Sequence, residues 1–425
     1  MEKQKYILKG HFCYSESLDT IVIKKNHYCI CEDGFSKGIY DEIPAEYKDL
    51  EVLDFGDRII MPGLVDLHVH APQYSFRGLG MDEELLMWLE HRTFPEEAKY
   101  KDECYAKKAY TIFTKDLKNS ATTRACIFAT VHSDTTMLLM KLLEESGIPS
   151  YVGKVNMDRN APEYLVEKDA CASLEDTKTW LKQCENKSAL VKPILTPRFI
   201  PTCSDELMDG LAKIQKEYGL PVQSHLSENE SEGAWVLSLC KGITNYAQGY
   251  ERAGLFGNGV KTIMAHCVYS NEEEIQQMAQ AGVFVAHCPQ SNTNLSSGIA
   301  PIRKLLEAGV RLGLGSDIAG GSSLSIFRAM TDAIQVSKLR TKLAKTQEKP
   351  ITIAEAFYLA TKGGGEFFGK VGSFEEGYEL DALVLDETKL PYPQELTILE
   401  RLERFVYLGE RSDILHKFAA GKQLF

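Results

Sequence analysis

Leu64-Val65-Asp66-Leu67-His68-Val69-His70 decides the reading of this chain, because two histidines stand one residue apart in a run of strand-forming residues. Alternation along a strand sends Val65, Leu67 and Val69 to one side and Asp66, His68 and His70 to the other. Two imidazoles on one side of a strand suit two ligands of one divalent metal, although the same pattern also occurs on ordinary half-buried strands. The preceding Met61-Pro62-Gly63 supplies a turn that feeds the strand.

Further polar residues close other apolar runs at the intervals of a βα repeat. His225 ends Leu220-Pro221-Val222-Gln223-Ser224-His225, His266 ends Thr262-Ile263-Met264-Ala265-His266, and Asp317 ends the stretch that starts at Val310. In a (β/α)8 barrel the catalytic residues collect at the C-terminal ends of strands far apart in sequence. Taken singly, His225 and His266 read as hydrogen-bonded core histidines and Asp317 as a helix cap. Their common placement favours ligation instead. Glu228, three residues past His225, is placed to reach a water at such a metal, take its proton and hand it to a substrate nitrogen. It reads equally as a solvated glutamate at a helix start, beside Glu230 and Glu232.

The texture of the chain fits a barrel flanked by a smaller β domain. Residues 1–60 read as short strands, Lys5 to Leu8, Thr20 to Ile23, His27 to Cys31 and Glu51 to Leu53, broken at Asp33-Gly34 and Gly56-Asp57. Strands and helices then alternate. Pro193 to Thr196 reads as a strand, and a helix capped by Ser204 runs to about Tyr218. Ser270-Asn271-Glu272-Glu273 matches a capping box before Ile275 to Ala281. Val283 to His287, a helix over Pro301 to Ala308 and Leu312 to Leu314 continue the pattern, which implies a parallel sheet. β texture returns after about residue 370, with Ala382 to Leu385 and Phe405 to Leu408 as strands. The expected fold is α/β: a (β/α)8 TIM-type barrel over 61–370, with a small β-sandwich domain built from residues 1–60 and 371–425.

Composition narrows the class. The chain has 425 residues, enough for a sizeable core, and a net charge of -12 that argues against nucleic acid and anionic membranes as partners. Met1 to Lys5 leads into a mixed strand-like segment instead of an apolar leader core, and no stretch reaches the length of a membrane span, so a cytoplasmic protein is expected. Eleven cysteines without a C-x-x-C pair suggest reduced thiols, and Cys29-x-Cys31 reads as part of an alternating strand, not a metal pair. Lys118-Asn119-Ser120 and Glu185-Asn186-Lys187 read as surface connections.

Pro62 to His70, Ser224-His225-Leu226-Ser227-Glu228, His266, His287-Cys288-Pro289-Gln290-Ser291-Asn292 and Gly315-Ser316-Asp317 together resemble a deaminase of the amidohydrolase superfamily. More narrowly, His70-Ala71-Pro72-Gln73-Tyr74-Ser75-Phe76, Trp88-Leu89, Thr93-Phe94-Pro95, Thr196-Pro197-Arg198-Phe199 and Asp317 to Gly321 resemble the guanine deaminase family within it. The resemblance implies hydrolysis of guanine to xanthine and ammonia at one zinc per chain, held by His68, His70, His225 and Asp317 with water completing the site. It implies Glu228 as proton shuttle and His266 as the group that orients the water or the developing oxyanion, with Asp317 also holding the attacking hydroxide. Relatives with two metals carry a lysine or glutamate at the end of the fourth strand. Here that place reads Thr196-Pro197-Arg198, which favours one metal. A homodimer is implied by the resemblance alone.

Arg198 can only donate, so it suits guanine O6 or N7, Gln73 can donate and accept at a purine edge, and Phe199 can stack on the base. Without the resemblance, a barrel-rim salt bridge, a solvated loop amide and a core aromatic are the preferred readings of these three. His287, Ser291 and Asn292 read as supports of the site, and His91, His132 and His416 have no assigned role. Two other functions stay open: an amidohydrolase acting on another purine, a pterin or a triazine, and a non-catalytic assembly protein of the same fold, which would be expected to have lost ligands.

Overall fold

The computed structural model describes residues 5–185, 187–345 and 347–425. Met1 to Gln4 and Asn186, which the sequence reading touched as chain start and surface connection, lie outside the described residues. Leu64–His70, Thr122–Phe128, Ser150–Gly153 and Val191–Pro193 form one parallel sheet. Val222–Leu226, Thr262–His266, Phe284–His287 and Arg311–Leu314 form a second. Backbone hydrogen bonds join the two sheets at both margins. Leu195 N donates to Pro221 O and Gln223 N to Leu195 O, each at 2.9 Å, while Asp317 N donates to His68 O at 2.8 Å. The last bond brings Asp317 beside the strand that carries the two histidines.

That strand departs from simple alternation. Its register against Thr122–Phe128 shifts between Asp66 and Val69, so an extra residue is taken up there. Val65 and Leu67 therefore join a cluster drawn from both parallel sheets, with Cys126, Ile194, Ile263 and Phe284, whereas Val69 packs in the other large cluster with Leu64. The expected grouping of Val65, Leu67 and Val69 on one side is broken by this bulge. Close packing on the neighbouring strand demands glycine: a Cβ at Gly315 would lie 2.8 Å from Cys288 Sγ and 2.9 Å from His68 Cβ.

Helices follow the strands much as the pattern predicts. Asp205–Tyr218 is capped by the Ser204 hydroxyl, which accepts from Leu207 N. Glu272–Ala281 is capped by Asn271 and not by Ser270, because the Asn271 side chain accepts from Glu274 N. The long connection after the first parallel strand is helical through Ala71–Phe76, Leu85–Trp88, Phe94–Ala98 and Glu103–Asn119, and it reaches back over the C-terminal ends of the strands.

Strands from both ends of the chain share one seven-stranded sheet, in the spatial order Lys422–Gln423, Ile414–Ala419, Ala382–Leu385, Val52–Pro62, Lys5–Ser17, Thr20–Glu32, Phe35–Tyr40. The sandwich expected from the sequence is thus hydrogen-bonded as a single sheet, whose long strands take bulges between Gly10 and Phe12 and between Cys29 and Cys31. Tyr6, Phe12, Cys31, Phe374 and Phe418 form its core. Phe405 to Leu408, expected as a strand, belongs to the helix Ile398–Leu408. A Thr397–Glu400 capping box starts that helix, and its buried face carries Leu402, Phe405 and Val406. Arg124 on the second parallel strand ties the two parts together, with Nε on Asp381 Oδ2 at 2.7 Å and Nη2 on Glu379 Oε2 at 2.8 Å.

Candidate active site

His68, His70, His225, His266 and Asp317 converge at the C-terminal ends of the parallel strands, all buried. His68 Nε2 lies 3.1 Å and His70 Nε2 3.5 Å from Asp317 Oδ1, and His70 Nε2 lies 3.2 Å from His225 Nε2. The His225 Nδ1–H donates to the backbone oxygen of Arg198 at 2.6 Å, which leaves its Nε2 as a lone pair aimed at His70. Burial, reinforced by the neighbouring His68, pushes both His70 and His225 well below the ordinary imidazole range, so both are neutral. His68 Nε2 has no hydrogen-bond partner despite its closeness to Asp317. An unpartnered His68 nitrogen packed this tightly with the facing nitrogens of His70 and His225 and the Asp317 carboxylate is what a divalent cation would satisfy. The residues that could hold it are His68, His70, His225 and Asp317. Burial opposes ionisation of Asp317, but the adjacent His68, His266 and His70 hold its carboxyl well below the usual range.

The groups expected to move protons sit beside this cluster. His266 Nε2 is 3.5 Å from Glu228 Oε2 and 3.8 Å from Asp317 Oδ2, and the His266 Nδ1–H donates to Asn292 Oδ1 at 2.9 Å. Burial lowers the His266 pKa to about 4. Glu228 is 4% exposed, which removes the reading of it as a solvated helix-start residue. Burial, then the nearby Asp317 charge, raises its carboxyl well above the usual range. One carboxylate held ionised and a second favouring its proton is the pairing that acid–base chemistry uses. The backbone is strained at these points, with φ of 48° at Ser227, 76° at His266 and 44° at Asp317, as is common where side chains are aimed at a site.

A cavity opens above the cluster, lined by His70, Gln73, Leu85, Trp88, Leu89, Arg198, Phe199, His225, Glu228, Glu232, His266, Leu295 and Asp317. It therefore brings Gln73, Arg198 and Phe199 together with His70, His225 and Asp317. Arg198 is in a salt bridge, Nη1 to Glu97 Oε2 at 2.6 Å, but the pair is buried at the cavity and not at a solvated rim. Gln73 is buried too: its Nε2 donates to Glu97 Oε1 at 3.1 Å and its Oε1 accepts from Ala319 N at 3.1 Å. Phe199 packs with its ring 6.5 Å from that of His225.

Three supporting residues had no role assigned from the sequence. Glu97 lies two residues past the Thr93-Phe94-Pro95 stretch and gave no periodic signal. Asp66 accepts from Ser316 N at 3.0 Å, from the Ser316 hydroxyl at 2.5 Å and from His68 N at 3.2 Å, and burial raises its pKa to about 6. It ties the Asp317 loop to the histidine strand. Glu232 accepts from Glu228 N at 2.9 Å and from the Tyr246 hydroxyl at 2.9 Å, fixing the backbone of Glu228. Among the expected supports, Asn292 contacts His266, while His287 is buried with neither ring nitrogen bonded. His91 bonds Glu83, His416 contacts Gln423, and neither of these nor His132 lines the cavity.

Residues 59–424 match the model of the amidohydrolase family. Guanine deaminase of Dictyostelium discoideum is 36% identical over 443 residues, covering 98% of both chains. Guanine deaminase of Rattus norvegicus is 39% identical over 396 residues, covering 90% of this chain and 85% of its own. The crystal structure of guanine deaminase from C. acetobutylicum with bound guanine superposes with a TM-score of 0.96 at 48% identity, covering 99% of this chain and 100% of the other. The chain belongs to the amidohydrolase family, in the group that contains the guanine deaminases.

Proposed function

We propose that this enzyme hydrolyses guanine to xanthine and ammonia at a single zinc held by His68, His70, His225 and Asp317. The observation that carries the reading is the joining, in one cavity, of His70, His225 and Asp317, with His68 packed behind Asp317, and a buried, oriented Arg198 and Gln73. Bound zinc would supply Lewis-acid activation of water for attack on the ring carbon that bears the amino group. Glu228 acts in its ionised form, made the stronger base by burial: it takes a proton from that water and hands it to the adjacent ring nitrogen. Protonating the nitrogen as the tetrahedral centre forms offsets the loss of ring resonance. A second transfer lets ammonia leave. His266, held by Asn292, orients the water and the developing oxyanion. Arg198 donates to O6 or N7, Gln73 reads the purine edge, and Phe199 stacks on the base.

The same proposal extends to architecture and setting. The eight parallel strands close as a (β/α)8 barrel over residues 61–370, with 1–60 and 371–425 as the small β domain. The hydrogen bonds at both sheet margins support closure. The eleven cysteines are free, which fits a reducing cytoplasm, and no helix among the described residues is long and apolar enough to cross a membrane. A homodimer completes the reading and is checked by light scattering. The functional test is product identification with zinc-loaded protein. Guanine should yield equal amounts of xanthine and ammonia, with adenine and cytosine far slower; absence of xanthine would overturn the reading.

A further inference from the structure

Arg198 is the one arginine or lysine among the described residues lining the cavity, and it is not a free cation. Its Nη1 rests on Glu97 Oε2 at 2.6 Å, and both side chains are buried. The other Glu97 oxygen takes the Gln73 amide at 3.1 Å, and Gln73 is locked from its far side by Ala319 N. Glu97 therefore touches both groups that would read a purine edge. Both Glu97 oxygens accept from a fixed donor, so an amide in its place would keep only one of the two bonds. Beyond holding both donors, the carboxylate adds charge.

A lone guanidinium in a water-poor cavity attracts any anion of the right shape, because Coulomb energies there exceed those in water several-fold. That matters for the reaction proposed above, on which this inference rests. Replacing the exocyclic amine by a carbonyl leaves a ring N–H between two carbonyls, so the product is a stronger acid than the substrate and ionises near neutral pH. Guanine stays neutral. An uncompensated arginine would hold the anionic product more tightly than the substrate. We propose that Glu97 cancels the charge of Arg198, so that this end of the cavity selects neutral purines by hydrogen bonding and releases anionic ones, its own product included. Glu97 is a positioning and charge-setting residue, not a catalytic one.

The test compares zinc-loaded wild type, Glu97→Gln and Glu97→Asp, using competitive inhibition of guanine turnover by hypoxanthine, neutral near pH 7, and urate, an anion there. Wild type should bind hypoxanthine at least as tightly as urate. In Glu97→Gln the ratio of the urate to the hypoxanthine inhibition constant should fall about tenfold or more, with xanthine becoming a stronger product inhibitor. Glu97→Asp keeps the charge and should stay near the wild-type ratio. A purely structural role would weaken all ligands together and leave the ratio unchanged, which overturns the proposal. So does a wild-type preference for urate, a result that stands even if Glu97→Gln fails to fold. Lack of guanine turnover by zinc-loaded wild type would count against the functional reading instead, and the ratio would then be read by calorimetric binding.

Discussion

Arg198→Met separates two roles that the sequence could not, because Arg198 is at once a substrate donor and half of a buried ion pair. With Glu97 fully buried and 2.6 Å away, truncating the arginine leaves a carboxylate in a low-dielectric site. Breaking one partner of such a pair costs about 3–5 kcal/mol, and the surviving Gln73 amide on Glu97 places this case near the lower end. Loss of the hydrogen bond to the base should remove a further 1–3 kcal/mol or so of transition-state stabilisation, a fall in kcat/KM of roughly 5- to 150-fold. Zinc should be retained, because the bond from His225 goes to the Arg198 backbone oxygen, which the substitution keeps. The double variant Arg198→Met/Glu97→Gln should then regain most of the stability and none of the turnover. Urea unfolding and ammonia release from guanine, measured on the same preparations, read the two effects separately. The reasoning fails if the single variant is as stable as wild type, if the double variant stays as unstable as the single, or if guanine turnover is unaffected.

Three shorter predictions concern the metal, the proton and the joint between the two parts of the chain. His225→Ala should lose most bound zinc by elemental analysis, and full occupancy would remove His225 from the ligand set. Glu228→Gln should keep zinc while turnover falls by roughly 10²- to 10⁴-fold, and near-normal turnover would show that this side chain carries no proton. Lys417 is buried with its ammonium donating to the backbone oxygens of Leu117, Lys118, Ser120 and Thr122 at 3.2, 2.9, 3.0 and 2.5 Å. Lys417→Met removes these four bonds and should destabilise the protein by about 2–4 kcal/mol in urea unfolding, with little change in the guanine KM of the folded enzyme.

The site was more legible in the sequence than the surroundings that shape it. His70 and His266 end their strands, His68 and His225 lie two residues and one residue before an end, and Asp317 lies three residues past Leu314, so the apolar strand runs located them and the topology gathered them. Glu97 and Asp66 carry no such mark, because their roles lie in contacts between segments far apart in sequence, whereas Glu232 closes an Asn229–Glu232 capping box and its contacts are local. Asp66 meets Ser316 across 250 positions, and Glu97 meets Arg198 across 101. The bulge between Asp66 and Val69 was equally invisible, since only the partner strand defines a register. Phe405 to Leu408 misled because four aromatic and branched residues mimic a strand. The Thr397–Glu400 box upstream marked a helix start, and a longer window would have exposed the helical period. The helical connection over 71–119, which supplies Gln73 and Glu97, followed no simple repeat.

The central claim, that one zinc in the histidine–aspartate cluster supports guanine hydrolysis, is tested most directly by titrating metal-stripped protein with zinc while following ammonia release from guanine. Activity should be absent without metal, rise linearly and level off at one equivalent per chain. Turnover that needs no metal, or that rises until two equivalents are bound, would contradict the account.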